Sequence, residues 1–313
     1  MHTTKVDVAI IGAGTAGIAA FHTLKAAGKR VALIDRGPLG TTCARVGCMP
    51  SKAALHAGMR WLTAKELPAG ATLASEGPQA LWLHARQTRD ALAGAAAERI
   101  RKAAGDSLIM SEASFVAPNA LEAGEQRIEA NAFIVATGSH PVVPRAFDSV
   151  ASLTLTTDTL FEQEDLPQRL GILGLGAIGL ELGLALSRLD VQVIGADQKD
   201  AIGGIQDPEI HSRALSRFSR EMPMWLGAPV NVSLAGDKVR MRAGQHEALV
   251  DRLLVVAGRQ PNTDTLNLAA AGIQALLETR RGVLGRAEAV QQTIRTGGHP
   301  IFAVLIYVLI RRG

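Results

Sequence analysis

Val6-Asp7-Val8-Ala9-Ile10-Ile11-Gly12-Ala13-Gly14-Thr15-Ala16-Gly17 is the stretch that decides the fold. Residues 6–11 read as a buried strand, a helical stretch to Ala27 follows the glycines directly, and a second strand over 30–34 ends at Asp35. Strand, Gly-x-Gly-x-x-Gly, helix, strand, acid is the order of a dinucleotide-binding unit. The glycines allow a tight turn and the close approach of a pyrophosphate to a helix N-terminus, and the acid accepts from ribose hydroxyls. A glycine cluster alone arises by chance; here all five parts stand in order.

The pattern then recurs. Residues 170–173 read as a strand, Gly174-Leu175-Gly176-Ala177-Ile178-Gly179 as the turn, 180–189 as the helix and 191–196 as the next strand, with Asp197 as the acid. Two complete copies imply two cofactors, or one cofactor and a decayed site. Between the copies, 79–104 has helical apolar spacing without proline, and 108–116 and 127–136 read as strands. Val135-Ala136-Thr137-Gly138-Ser139 ends a strand at a small-residue turn suited to backbone contact with a cofactor. Pro141, Pro144 and the polar run 154–159 mark a crossover, and 253–257 with Gly258-Arg259-Gln260-Pro261-Asn262 closes the second fold. The expected architecture is α/β, with two tandem Rossmann-like folds over 1–150 and 151–262, and with 263–313 starting a return to the first fold and ending in an aberrant, truncated tail.

The chain has only two cysteines in 313 residues, and both fall in Thr42-Cys43-Ala44-Arg45-Val46-Gly47-Cys48-Met49-Pro50-Ser51-Lys52. Two thiols separated by four residues, with no third to pair with, point to a redox couple; the alternative is two buried thiols that happen to be neighbours. On a regular helix, positions i and i+5 lie about 8 to 9 Å apart at Cα, too far for a disulfide, so the couple requires a bent segment. Gly47 relaxes the backbone and Pro50 suits a first helical turn, which predicts a distorted loop feeding a helix from about Ser51. Arg45 and Lys52 are nearby cations that favour a thiolate. Glu181 is the only charge between Leu170 and Ser187, and a carboxylate between apolar neighbours wants a cation.

Composition narrows the function classes. At 47% hydrophobic residues with 32 glycines, the chain fits a cored, turn-rich protein of two domains. The net charge is +4, but the basic residues are interspersed with acidic ones and aromatics make up only 4%, which argues against a nucleic-acid partner. Residues 1–5 are polar and 6–11 run straight into a glycine turn, unlike a signal peptide. Two cysteines in such a chain fit the reducing cytoplasm, where a disulfide is usually catalytic. The apolar run 301–310 is ten residues long, too short to span a bilayer, so no membrane partner is expected.

With these motifs in place, the chain resembles the pyridine nucleotide-disulfide oxidoreductases, most of all their dihydrolipoamide dehydrogenase branch. The resemblance runs from Val6 to Ile273 and rests on the two glycine motifs, the segment from Thr42 to Lys52, Ala136-Thr137-Gly138, Glu181, and Gly258-Arg259-x-Pro261-Asn262. It implies FAD in the first fold and a nicotinamide nucleotide in the second. The implied cofactor-binding residues are Gly12, Gly14, Gly17, Asp35, Thr42, Lys52, Ala113, Thr137, Gly138, Gly174, Gly176, Gly179, Asp197, Gly258 and Arg259. The implied catalytic set is Cys43, Cys48, Lys52 and Glu181. Cys48 takes the role of flavin-proximal thiol and Cys43 that of interchange thiol, with Lys52 and Glu181 pairing as a link between the domains. Asp197 favours NAD over NADP, because a carboxylate repels a 2'-phosphate, although Lys199 pulls the other way. The implied partner is a small disulfide or dithiol such as lipoamide.

From Arg280 onward the resemblance is lost. Family members carry Ile-Phe-Ala-x-Gly-Asp, whose aspartate holds the flavin ribityl chain, whereas this chain reads His299-Pro300-Ile301-Phe302-Ala303-Val304-Leu305-Ile306. The interface domain, with the homodimer contact and the acid-base histidine, does not follow; His56 and His211 read as surface or satisfied residues, not as substitutes. The expectation is a truncated enzyme with impaired turnover, since general acid-base help contributes typically about 10² to 10⁴ in rate. Alternatives are a diaphorase that passes electrons to a quinone or dye, and an inactive nucleotide-binding remnant. Mercuric reductase ranks lower, because neither a C-terminal cysteine pair nor an N-terminal Cys-x-x-Cys occurs.

Overall fold

A crossover helix after each glycine turn brings the chain back beside the strand it left, running the same way, so repeated units of this kind build parallel sheets. In the computed structural model, residues 2–66, 77–273, 275–276, 284–285 and 307–310 are described. They divide into two compact units, one of 1–42, 93–140 and 261–313 and the other of 43–92 and 141–260.

The strands of the first unit are β1 (His2–Ile11), β2 (Val31–Asp35), β3 (Leu108–Met110), β4 (Ala113–Ala117), β5 (Ala120–Ala123) and β6 (Gln126–Val135), in the sheet order β3-β2-β1-β6-β5-β4. β1 runs parallel to β2 and β6, and β2 parallel to β3; β4, β5 and β6 form an antiparallel meander. Helix α1 (Thr15–Ala26) links β1 to β2 and stops at Gly28, whose φ of 70° ends it. Ile10, Leu33 and Ile134 pack with Phe21 of α1 on one face. On the other face are Ile11, Ile34, Phe115 and Phe133, and the two phenylalanine rings meet edge to face at 5.0 Å.

The run 108–116, expected as a single strand, is two. The Ser111 amide makes the last bond to β2, to the Asp35 carbonyl at 3.0 Å, and is shared with the Ile109 carbonyl at 3.2 Å, a tight turn after which the chain enters β4. Of the expected tail, 263–273 stays with the first unit: Leu266 and Ala271 are buried in its core. Residues Ala275–Leu276 pair with Leu284–Gly285, and Tyr307–Ile310 runs antiparallel to β6 with Tyr307 opposite Val135. The reading of 299–306 lies outside the described residues.

The chain passes between units at α2 (Thr42–Arg45), and α3 (Cys48–Glu66) belongs to the second. α4 (Gly77–Ala104) contributes 77–92 to the second unit and 93–104 to the first. The remaining strands are β7 (Ser139–Pro141), β8 (Thr154–Leu155), β9 (Arg169–Leu173), β10 (Gln192–Asp197), β11 (Met224–Leu226), β12 (Val230–Ala235), β13 (Lys238–Ala243), β14 (His246–Val250), β15 (Arg252–Val255) and β16 (Arg259–Pro261), with helices α5 (Ala177–Arg188) and α6 (Pro208–Phe218). The central sheet has the order β11-β10-β9-β15-β8, parallel throughout. β12, β13 and β14 form a separate antiparallel sheet whose Val239, Met241 and Val250 share a core with Leu173, Leu253 and Phe147. A larger core joins α3, α4 and α5 to Leu170 and Ile172 of β9, with Trp82 stacked on Phe161 at 5.4 Å.

Candidate functional site

The first glycine turn is built by contacts that leave no room for side chains. Gly12 has a φ of +105°, and a Cβ there would collide with the Ala136 carbonyl; a Cβ on Gly17 would collide with the Gly12 carbonyl. Gly14 faces open space. The turn therefore closes on β6 and on its own helix and presents bare backbone at Gly14, the arrangement that admits a pyrophosphate to a helix N-terminus. Asp35, at the end of β2, ties the turn down. Its Oδ2 accepts from the Ala13 amide at 2.6 Å and its Oδ1 from the Gly37 amide at 2.6 Å.

The second turn repeats this in detail. Gly174 has a φ of +97°, and a Cβ would stand 2.8 Å from the Val256 carbonyl oxygen; a Cβ on Gly179 would collide with the Gly174 carbonyl, and Gly176 faces open space. Asp197 accepts from the Leu175 amide at 2.8 Å through Oδ2 and from the Lys199 amide at 2.9 Å through Oδ1. Each turn thus has the shape and backbone donors that fit a dinucleotide, by a geometry that belongs to the chain itself.

Thr137 and Gly138 form the small-residue turn after β6, with Gly138 at a φ of +70°. Asn262 holds it: its Nδ2 donates to the Thr137 carbonyl at 2.8 Å and its amide to the Gly138 carbonyl at 3.0 Å. Because the Asn262 Oδ1 can only accept, His140 donates to it through Nδ1 at 2.6 Å. The motif around Gly258 drew attention to this segment, but nothing in its spacing identifies Asn262 as the clamp.

Gly258 faces open space, and its carbonyl accepts from the Val142 amide at 3.1 Å. Arg259 is half-buried and donates to the Thr157 hydroxyl at 3.2 Å; burial pulls its guanidinium below the usual value, with Asp158 opposing. Thr42 is exposed at the start of α2, and Ala113 is buried in the core at the start of β4.

Both thiols are half-buried and free, and Cys48 lies within hydrogen-bonding reach of Cys43. The bend between them is sharper than a loop. α2 ends at Arg45 and α3 begins at Cys48, three residues earlier than expected, because the Ser51 amide donates to the Gly47 carbonyl at 3.2 Å and closes the first turn there. Pro50, third in the helix, needs no donor. Burial pushes the Cys48 thiol up from 9.0 to about 11, its hydrogen bond to Cys43 and that thiol's charge add to the rise, and Lys52 opposes it.

Lys52, one turn beyond Cys48, donates from Nζ to Glu181 Oε1 at 2.5 Å. The lysine side chain is 60% exposed and the glutamate 18%, so the carboxylate is the partner that depends on the pair. Glu181 sits in α5, the helix that the second glycine turn begins. Among the described residues, no group of three or more His, Cys, Asp and Glu is placed to hold a metal, and no helix is long and apolar enough to cross a membrane.

The chain thus carries two glycine turns whose shape fits a dinucleotide and two neighbouring thiols. Comparison with known proteins gives its family. The profile described as Pyridine nucleotide-disulphide oxidoreductase matches residues 6–304. A mercuric reductase of Staphylococcus aureus is 31% identical over 278 residues, which are 86% of this chain and 51% of that protein. A dihydrolipoyl dehydrogenase of the same organism is 30% identical over 329 residues, 96% of this chain and 65% of that protein. These identities do not separate the two branches, and the lower rank expected for mercuric reductase has no support in them. The chain spans about half the length of the mercuric reductases it matches. Among solved structures, the Cu(II) complex of the HOCl-induced flavoprotein disulfide reductase RclA from Escherichia coli shares the fold at a TM-score of 0.76 and 24% identity, covering 91% of this chain and 64% of that one. The chain belongs to the pyridine nucleotide-disulphide oxidoreductase family.

Proposed function

We propose that the chain forms the nucleotide-binding and dithiol part of a flavin-dependent disulfide oxidoreductase driven by NADH. The observation that carries this reading is the duplication of one cradle, down to the same carboxylate bonds, in a chain whose two cysteines adjoin a Lys52–Glu181 pair. Gly12, Gly14, Gly17 and Asp35 would hold FAD; Gly174, Gly176, Gly179 and Asp197 would hold the nicotinamide nucleotide. When bound, FAD supplies two-electron exchange between nicotinamide and sulfur.

The chain's own residues perform the thiol steps. Cys43, as thiolate, attacks one sulfur of the substrate disulfide and releases the other as a thiolate; Cys48 then displaces the second thiolate and closes the Cys43–Cys48 bond. Two thiols become one disulfide as the substrate disulfide becomes two thiols, so the electrons balance. Lys52 holds positive charge one turn from Cys48, which favours its thiolate. Asp197 favours NAD by repelling a 2'-phosphate. The substrate is a small disulfide of the lipoamide kind.

A second reading comes from the mercuric reductase relatives. In it, the same two thiols bind a soft divalent metal ion, which is reduced as the substrate. Anaerobic NADH titration of the FAD-loaded chain, followed by absorbance, tests the common core. Flavin bleaching by NADH, with thiolate-to-flavin absorbance lost in Cys48→Ser, supports it; a protein that takes up no flavin overturns it. Lipoamide and Hg(II) added to the reduced protein then separate the two substrates.

A further inference from the structure

Three of the contacts that join α3 to α5 and the residues just past it share one numerical offset. Lys52 meets Glu181, Met59 accepts from Arg188 at 3.1 Å, and Trp61 Nε1 donates to Asp190 Oδ2 at 2.6 Å, each pair 129 residues apart. The two helices therefore run parallel and in step. Continued to their beginnings, the offset sets Cys48 level with Ala177, the first residue of α5 after the second glycine turn. Gly58 permits the close approach, since a Cβ there would stand 2.7 Å from the Ala185 carbonyl oxygen.

Ionic contacts close both ends of this pairing. At the front is Lys52–Glu181. At the back, Asp190 accepts from Trp61 and, through Oδ1, from Lys65 at 2.6 Å. Asp190 sits just past the end of α5 at a φ of 64°, a conformation in which an Asp, Asn or Gly is tolerated. Resting on the function proposed above, we propose that Asp190 is a positioning residue: it keeps α3 in step with α5 and thereby holds Lys52 on Glu181, limiting the positive charge that Cys48 feels.

Direct electrostatics do not carry this effect. Cys48 and Trp61 are thirteen residues apart on one helix, about 20 Å along its axis, well beyond the screening length of about 8 Å at physiological salt. Lys52, by contrast, stays one turn from Cys48 wherever α5 lies. When the back clamp loosens, Lys52 leaves Glu181 and its uncompensated charge favours the Cys48 thiolate.

The test is the rate of iodoacetamide alkylation at Cys48 in the reduced chain, read by mass spectrometry of its peptide, with the helical circular dichroism of each variant as a check on folding. It needs neither flavin nor nicotinamide, so its outcome is independent of whether the chain binds either. Asp190→Gly should raise the rate about threefold or more, Glu181→Gln should do the same, and the double variant should show no further rise, the signature of one shared route. Asp190→Asn keeps the left-handed backbone and an acceptor for Trp61, so its rate should fall between. In a Lys52→Met background the effect of Asp190→Gly should vanish. Multiplicative effects in the double variant, an effect that survives Lys52→Met, or an unchanged rate in a folded Asp190→Gly would each overturn the proposal.

Discussion

Asn262 donates its side-chain amide to the Thr137 carbonyl at 2.8 Å, and so fixes the turn after β6 from a segment that lies 125 residues further along the chain. The Thr137 carbonyl is part-buried, and losing its donor leaves an acceptor unsatisfied. Asn262→Ala should cost about 1–3 kcal/mol in unfolding free energy and weaken flavin retention by more than the stability loss explains. Urea unfolding and FAD dissociation, measured side by side, check this; equal retention in the variant would remove Asn262 from the site.

The glycines of each motif should separate into two behaviours. A Cβ at Gly17 or Gly179 meets backbone, so Gly17→Ala and Gly179→Ala should destabilise by about 1–3 kcal/mol. Gly14 and Gly176 have φ of −70° and −64° and face open space, so alanine fits the fold but occupies the approach to it. Gly176→Ala should leave the melting temperature nearly unchanged and raise the NADH dissociation constant about tenfold, equivalent to about 1.4 kcal/mol. Calorimetric titration with NADH reads this directly.

Asp197 holds the turn in addition to the nucleotide preference proposed for it, and a substitution must separate the two. Both its oxygens accept backbone amides of the turn region, so Asp197→Ala would loosen the cradle as well as remove charge. Asp197→Asn keeps one acceptor in place. It should narrow the NADH preference over NADPH while leaving stability within about 1 kcal/mol; tighter NADPH than NADH binding by the unmutated chain would contradict the assignment.

Cys48 predicts a pH dependence with a definite sign. Its thiol is raised from 9.0 to about 11 in the fold, so the folded state holds the proton more tightly than the unfolded one. The associated stability is fully present below about pH 9 and is lost as pH rises through about 11. Urea unfolding of the reduced chain at pH 8 and pH 11, compared with Cys48→Ser, isolates it from other titrations: the serine variant should lose less across that interval.

Under oxidation, Cys43 and Cys48 should join as an intramolecular disulfide, since the two side chains already meet across the Val46–Gly47 bend. Peptide mapping without reductant checks it. Recovery of both as free thiols from folded, air-oxidised protein would refute the redox couple.

What sequence reading reached was local. The glycine turns, their strands and the two terminal acids were legible because a fixed spacing of small residues allows only one backbone path, and Asp35 and Asp197 stand where that path ends. The start of α3 was misplaced by three residues because Pro50 looks like a boundary, whereas a proline in the first turn lacks a donor the helix does not use. The break at Ser111 was invisible because the turn there, in which the Ser111 amide reaches back to the Ile109 carbonyl, is made without glycine or proline. Asn262 and Asp190 were missed as clamps because their partners lie 125 and 129 residues distant, and no periodicity or motif encodes such a pairing. Lys52–Glu181, also 129 residues apart, was anticipated only through the isolation of Glu181 among apolar neighbours and the family resemblance.

The carboxylates of Asp35 and Asp197 also set a kinetic expectation. Each holds its glycine turn in shape through the chain's own amides, so an arriving nucleotide has little loop ordering to wait for. Association should then proceed at the roughly 10⁵–10⁷ M⁻¹s⁻¹ of docking onto a ready surface, with differences among nucleotides residing in how long each stays.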